Sequence, residues 1–234
     1  MQMETPGERW RDALVVEHQI GSLLVRLETV RDFDPLLDSY AARFPSDTDM
    51  IPYYATLWPS ALALARYLAE LPLQLKSLRV VELGCGLGLP SIVAALRGAD
   101  VLATDFHPDN EPYVRRNSEL NGVALRYRTL QWGDRVNEEP FDLVMCSDVL
   151  YERRTTAALV ECATSLCAPG GGILLADPGR DELAPAARGI RARGFVEDLQ
   201  AVDDIFLLRF TRPVAAGALA AQGSQAAAYE SGPS

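Results

Sequence analysis

The chain predicts an α/β fold: a doubly wound, seven-stranded and mostly parallel sheet of the Rossmann-like kind, with an N-terminal β-hairpin extension. Three observations carry that expectation. From about Arg79, short apolar runs alternate with helix-period stretches, as buried parallel strands joined by crossover helices do. The first of those runs ends in a glycine-rich turn, Gly84-Cys85-Gly86-Leu87-Gly88, which opens a helix. The next run closes on Asp105. Residues with ligand chemistry therefore fall at strand C-terminal ends, where such sheets bind their ligands.

Each element has its own signal. Ala13–Ile20 and Ser22–Val30 flank Gly21 and pair as a hairpin. The stretch Asp32–Tyr54 reads as a loop because Pro35, Pro45 and Pro52 interrupt it. Ala61–Glu70 is a helix ahead of the first core strand, Arg79–Leu83. Further buried strands are Asp100–Thr104, Phe141–Cys146 and Gly172–Ala176, short and rich in branched residues. Helical patterns at Leu89–Arg97, Pro108–Leu120 and Glu152–Cys167 connect them. Ala124–Leu130 alternates apolar and polar residues, the mark of a strand on the edge side. A helix over Glu182–Arg193 leads into Phe195–Leu199, and Ile205–Thr211 is the last strand. Beyond Pro213 the composition turns to Ala, Gly, Ser and Gln without a period, so 214–234 is expected to be a disordered tail. The expected organisation is one domain over 1–213, of which 1–50 is an N-terminal extension.

Composition bounds the function. With 234 residues and 48% hydrophobic content, the chain can bury one sizeable core. A net charge of −10 gains nothing from counterion release and repels polyanions, so nucleic acid is disfavoured and a cationic or lysine-bearing partner favoured. No apolar run reaches membrane-span length, and the charged N-terminus lacks a signal-peptide core. Cys85, Cys146, Cys162 and Cys167 lack metal-ligand spacing and read as reduced thiols of a cytoplasmic protein. No metal site is expected.

The glycine spacing selects the ligand. A dinucleotide turn is G-x-G-x-x-G, but here the spacing is G-x-G-x-G and Leu89 stands at the place of the third glycine. The turn has no Lys or Arg for a phosphate, and Glu82 before it would repel one. S-adenosylmethionine (SAM) fits instead, being a nucleoside with a sulfonium, an ammonium and no phosphate. Gly84, Gly86 and Gly88 let the backbone approach it, together with the backbone of Cys85. Glu82 suits its positive charge, Asp105 its ribose diol and Phe106 the adenine side. His107 is expected at the surface before Pro108, and His18 is expected to be structural. Asp134 reads equally well as an adenine acceptor or a turn residue.

Four segments carry a resemblance. They are Tyr53-Tyr54-Ala55-Thr56-Leu57-Trp58-Pro59-Ser60, the turn with Glu82, Thr129-Leu130-Gln131-Trp132-Gly133, and Ser147-Asp148-Val149-Leu150-Tyr151-Glu152. Together they resemble the seven-β-strand protein lysine methyltransferases, small class I enzymes also called methyltransferase family 16, from about Leu23 to Arg212. Ala176-Asp177-Pro178-Gly179-Arg180 is similar to the branch that methylates the β subunit of electron-transfer flavoprotein. That branch usually carries Tyr-Trp-Ala and Trp-Pro-Gly, where this chain has Tyr53-Tyr54-Ala55 and Trp58-Pro59-Ser60.

The resemblance implies a SAM-dependent N-methyltransferase acting on a protein that presents a lysine, with an electron-transfer-flavoprotein subunit as a candidate. It implies that Trp58 covers the methionine and ribose side of the cofactor, that Trp132 contacts the adenine and that Ser147 borders the adenosine or the transfer channel. Asp148 and Tyr151, the D-x-x-Y pair, would hold the target ammonium. Asp148 has another reading, as a cap of the helix Glu152–Cys167. A small-molecule N- or O-methyltransferase and a non-catalytic SAM-binding protein remain alternatives on the same fold.

Overall fold

The computed structural model describes residues 13–71, 75–202 and 204–214. The expected tail from 215 onward lies outside the described residues. β1 (Ala13–Ile20) and β2 (Leu23–Val30) form an antiparallel hairpin closed by Gly21 and Ser22, with Gly21 at φ 56°. A two-residue loop with a left-handed first position matches the twist of such a ribbon.

The loop expected at 32–54 is corrected in part. Its first half is a helix, α1 (Phe33–Arg43), and single 3-10 turns stand at Thr48–Met50 and Tyr53–Ala55. Asp32 caps α1 by accepting from the Asp34 N–H at 3.2 Å. Pro35 lies in the first turn, where its missing N–H costs no helical bond. That proline marks a start, not a break. Tyr40 of α1 then donates from its hydroxyl to Asp109 at 2.6 Å and meets the Tyr54 hydroxyl at 3.0 Å. Helix α2 (Pro59–Glu70) begins ahead of the expected Ala61 because Pro59 is its first residue.

The main sheet contains β3 (Arg79–Leu83), β4 (Asp100–Asp105), β5 (Arg126–Thr129), β6 (Phe141–Ser147), β7 (Cys167–Asp177), β8 (Val196–Val202) and β9 (Ile205–Thr211). The strands run in the order β5-β4-β3-β6-β7-β9-β8. All pairs are parallel except those of β9 with β7 and β8. The connections are α3 (Leu89–Leu96), α4 (Glu111–Leu120), α5 (Arg153–Leu166) and α6 (Leu183–Arg191). Succession reverses between β3 and β6, so the crevice for a ligand opens at their C-terminal ends.

Strand alternation divides the core between the two faces. Val80, Val101, Met145 and Leu174 pack with Leu64, Leu68 and Ile92 of α2 and α3. Val81, Leu102 and Val144 pack with Leu159 and Ile190 of α5 and α6. The hairpin buries Ile20, Val25 and Leu27 on the first of these faces. Asn117 of α4 holds it there, accepting from the Glu28 N–H at 2.6 Å and donating to the Leu87 carbonyl at 3.0 Å. Among the described residues no helix is long and apolar enough to cross a membrane.

Candidate active site

A cavity of about 490 Å³ opens at the C-terminal ends of β3, β4 and β6. It collects nine of the expected site residues: Trp58, Gly84, Gly86, Asp105, Phe106 and Trp132, with Ser147, Asp148 and Tyr151. Gly84 (φ 72°) and Gly86 (φ 51°) both adopt left-handed backbone, which a side chain rarely tolerates. A Cβ on Gly84 would also stand 2.7 Å from Val149 Cγ1 and 3.7 Å from Trp132 Cζ2. Glycine there lets the loops after β5 and β6 close on the turn.

Asp105 joins that turn to β4. One carboxylate oxygen accepts from the Gly86 N–H at 3.0 Å and the other from the His107 N–H at 3.1 Å. Burial raises its pKa against the pull of these bonds. Each carboxylate oxygen accepts more than one bond, so acceptor capacity remains for a diol.

Glu82, Cys85 and Gly88 are not among the residues that line the cavity. The reason is strand alternation: Glu82 shares the face of Val80, turned toward α3. One of its oxygens accepts from the Ser91 N–H at 3.0 Å and from the Ser91 hydroxyl, while Oε1 is buried with no partner. Burial, with a smaller contribution from Asp105, pushes its carboxyl from 4.5 up to about 8. Between those two values the fold keeps a proton that the unfolded chain has lost, so stability falls as pH rises through that window. Glu82→Gln is expected to remove this slope. Its gain in Tm over the wild type should grow from pH 5 to pH 8, and parallel Tm profiles would contradict the assignment. The Cys85 thiol, raised by burial, faces Asn110 Oδ1 at 3.6 Å.

His107 corrects another expectation. It is 1% exposed and lines the cavity. Tyr54 packs on its ring at 4.5 Å, its Nδ1 accepts from the Asp109 N–H at 3.1 Å, and Nε2 faces the Met50 carbonyl at 3.4 Å. Burial lowers its pKa. With Nδ1 accepting, the ring is the neutral tautomer and serves as a strut under the 48–55 segment.

Aromatic side chains shape the mouth. Trp58 donates its indole N–H to the Tyr53 carbonyl at 2.8 Å, and the Tyr53 ring meets Trp58 at 5.9 Å and Tyr151 at 5.6 Å. Tyr53 is one residue to which the sequence reading assigned no role. Its spacing from Trp58 was the available signal, and only the short turn at Tyr53–Ala55 brings the rings together.

Asp148 follows β6 with left-handed backbone, φ 56°. It caps a helix, but not the one after it. Its Oδ2 accepts from the Ser60 N–H of α2 at 2.8 Å, whereas the residue at the N-cap of α5 is Glu152, with no side-chain capping bond. Its Oδ1 accepts from Arg180 Nη1 at 2.8 Å, and the same nitrogen donates to Asp177 Oδ2 at 2.8 Å. Asp177 is fully buried and also accepts from the Gly179 and Arg180 N–H groups. Arg180, quoted above only as part of a resemblance, therefore belongs to the site.

The cavity wall has three carboxylates, Asp105, Asp148 and Glu152, against one guanidinium. That balance suits a cationic ligand and opposes a phosphate. The glycine cradle, the buried Asp105 and the flanking aromatic rings Phe106 and Trp132 suit a nucleoside. On both counts the residues fit SAM.

Residues 50–184 match the family described as lysine methyltransferase. The electron transfer flavoprotein beta subunit lysine methyltransferase of Xenopus laevis is 33% identical over 137 residues, covering 57% of this chain and 55% of that protein. Protein N-lysine methyltransferase METTL21A of Danio rerio is 32% identical over 147 residues, covering 59% and 67%. The chain thus spans little more than half the length of the first of these relatives. Among solved structures, the T. thermophilus 16S rRNA N2 G1207 methyltransferase in complex with AdoMet and guanosine aligns with a TM-score of 0.64 at 15% identity, covering 86% of this chain and 50% of that one. The magnesium protoporphyrin IX methyltransferase of Synechocystis PCC 6803 with bound SAM aligns at 0.54 and 18%, covering 77% and 97%. These likenesses identify the fold as the Rossmann-like fold of class I methyltransferases.

Proposed function

The chain belongs to the lysine methyltransferase family, and on that footing we propose that it transfers a methyl group from SAM to the side-chain amine of a lysine in a protein. The cavity wall supports the reading most directly, with its excess of carboxylates at the end of a glycine turn. Gly84 and Gly86 would hold the cofactor through their backbone, Asp105 through the ribose diol, and Phe106 and Trp132 through the adenine. Trp58 would cover the methionine side and Ser147 the channel. Glu82 acts one layer behind, through Ser91 and the start of α3. When bound, SAM supplies an activated methyl group.

What remains for the protein is to present a neutral amine in line with that group. A lysine ammonium titrates near pH 10.4 in water, so it reaches the reactive form by losing a proton. Burial in the channel favours that loss. Asp148 would then accept one N–H of the amine and aim its lone pair, with Tyr151 closing the mouth beside it. Holding the reactants aligned provides much of the acceleration. An electron-transfer-flavoprotein subunit is the first substrate to try, on the names of the relatives alone. The buried, free cysteines accord with a reducing cytoplasm.

Tritiated methyl transfer from SAM to a cell lysate, wild type against Asp148→Asn, tests the reading. One discrete labelled protein band, lost in the variant, is the expected result. Label confined to the small-molecule or nucleic-acid fraction would overturn the protein-lysine assignment.

A further inference from the structure

A carboxylate beside the acceptor amine has a cost that the site must meet. It stabilises the ammonium, which cannot accept a methyl group, over the neutral amine that can. The surroundings of Asp148 act against that pull. Arg180 Nη1 sits 2.8 Å from Oδ1, and the Ser60 N–H at the positive end of α2 sits 2.8 Å from Oδ2. The pair is sheltered: the Asp148 side chain is 5% exposed and that of Arg180 29%.

We propose that Arg180 is a positioning residue that holds Asp148 as a hydrogen-bond acceptor while offsetting its charge, so that the channel receives a lysine as a neutral amine. The inference rests on the methyltransferase reading above and concerns how the same site treats its acceptor. Other groups bear on the balance. Asp177 shares the guanidinium, but its own oxygens also take the Gly179 and Arg180 N–H groups at 2.8 and 2.7 Å. Glu152 is paired with Arg154 at 2.6 Å, Asp105 is bonded to the turn, and His107 is neutral. Arg180 is thus the cation that sets how strongly Asp148 attracts another.

The test needs no protein substrate. Sinefungin carries an ammonium where SAM carries its methylated sulfonium, whereas S-adenosylhomocysteine has no charge there. Their affinities for the full chain are measured by calorimetry at pH 7.5, and the ratio is the readout. In Arg180→Gln the unshielded Asp148 is expected to tighten sinefungin about tenfold relative to S-adenosylhomocysteine, the equivalent of one pKa unit. Arg180→Lys, which keeps the charge, should leave the ratio at its wild-type value. Asp148→Asn should move it about tenfold the other way. These opposite signs separate the proposal from a structural role, which would weaken both ligands together. An unchanged ratio in Arg180→Gln, or a fall in both affinities alike, overturns it. Should Arg180→Gln not fold, an unchanged ratio in Asp148→Asn or a shifted ratio in Arg180→Lys overturns it as well. Failure of the wild type to bind either ligand would instead strike the SAM reading itself.

Discussion

Asp148→Asn is expected to lower methyl transfer by about 10²-fold or more while lowering SAM affinity by no more than about tenfold. Loss of alignment at the acceptor is what sets that magnitude. Asparagine is the informative replacement because Asp148 has a backbone φ of 56° and caps α2 through Ser60. Asparagine tolerates left-handed backbone, and its carbonyl oxygen can still accept from Ser60. Alanine would add roughly 1–2 kcal/mol of backbone strain and about 1 kcal/mol for the lost cap. Its effect on transfer would then be mixed with a loosened α2. Single-turnover transfer and calorimetric SAM binding, run side by side, read the two effects apart. Equal losses in both would move Asp148 from the acceptor side to the cofactor side.

Asp105→Ala carries the other large effect. A hydrogen bond to a charged acceptor contributes about 1.5–3 kcal/mol, so SAM affinity should fall about 10- to 100-fold. The substitution also frees the Gly86 and His107 N–H groups that Asp105 holds at 3.0 and 3.1 Å. The turn should loosen, and Tm without ligand should fall too. Asp105→Asn separates the contributions: one carbonyl oxygen can still hold one of those N–H groups, while the charge is gone. Unaltered SAM affinity in both variants would refute the ribose assignment.

Much of the fold was legible because its signals are local. The runs Arg79–Leu83 and Ile205–Thr211 are observed with the expected bounds, since a buried strand reads as a short apolar stretch between turns. Helix α1 shows where local signals fall short. A proline at a helix start looks like a breaker until its position within the first turn is known. Pro35 reads as loop punctuation, yet it stands in the first turn of α1.

The candidate site was legible as a set of residues but not as a set of partners. Eight of the nine expected residues meet at one cavity because they follow strands of a parallel sheet whose ends share one edge, and Trp58 joins them from the start of α2. Glu82 was expected there as well, yet strand alternation turns it toward α3. His107 was placed at the surface from its neighbour Pro108, but Tyr54, distant in sequence, covers it.

By itself, then, the sequence determined the strand and helix pattern, the glycine turn and the strand-end carboxylates, because periodicity and turn chemistry act between near neighbours. Only the tertiary structure decided what those carboxylates touch. Asp148 meets Ser60 across 88 residues and Arg180 across 32. Such bonds form when packing brings distant segments to the same edge of the sheet, and nothing in the local pattern of either segment encodes the other.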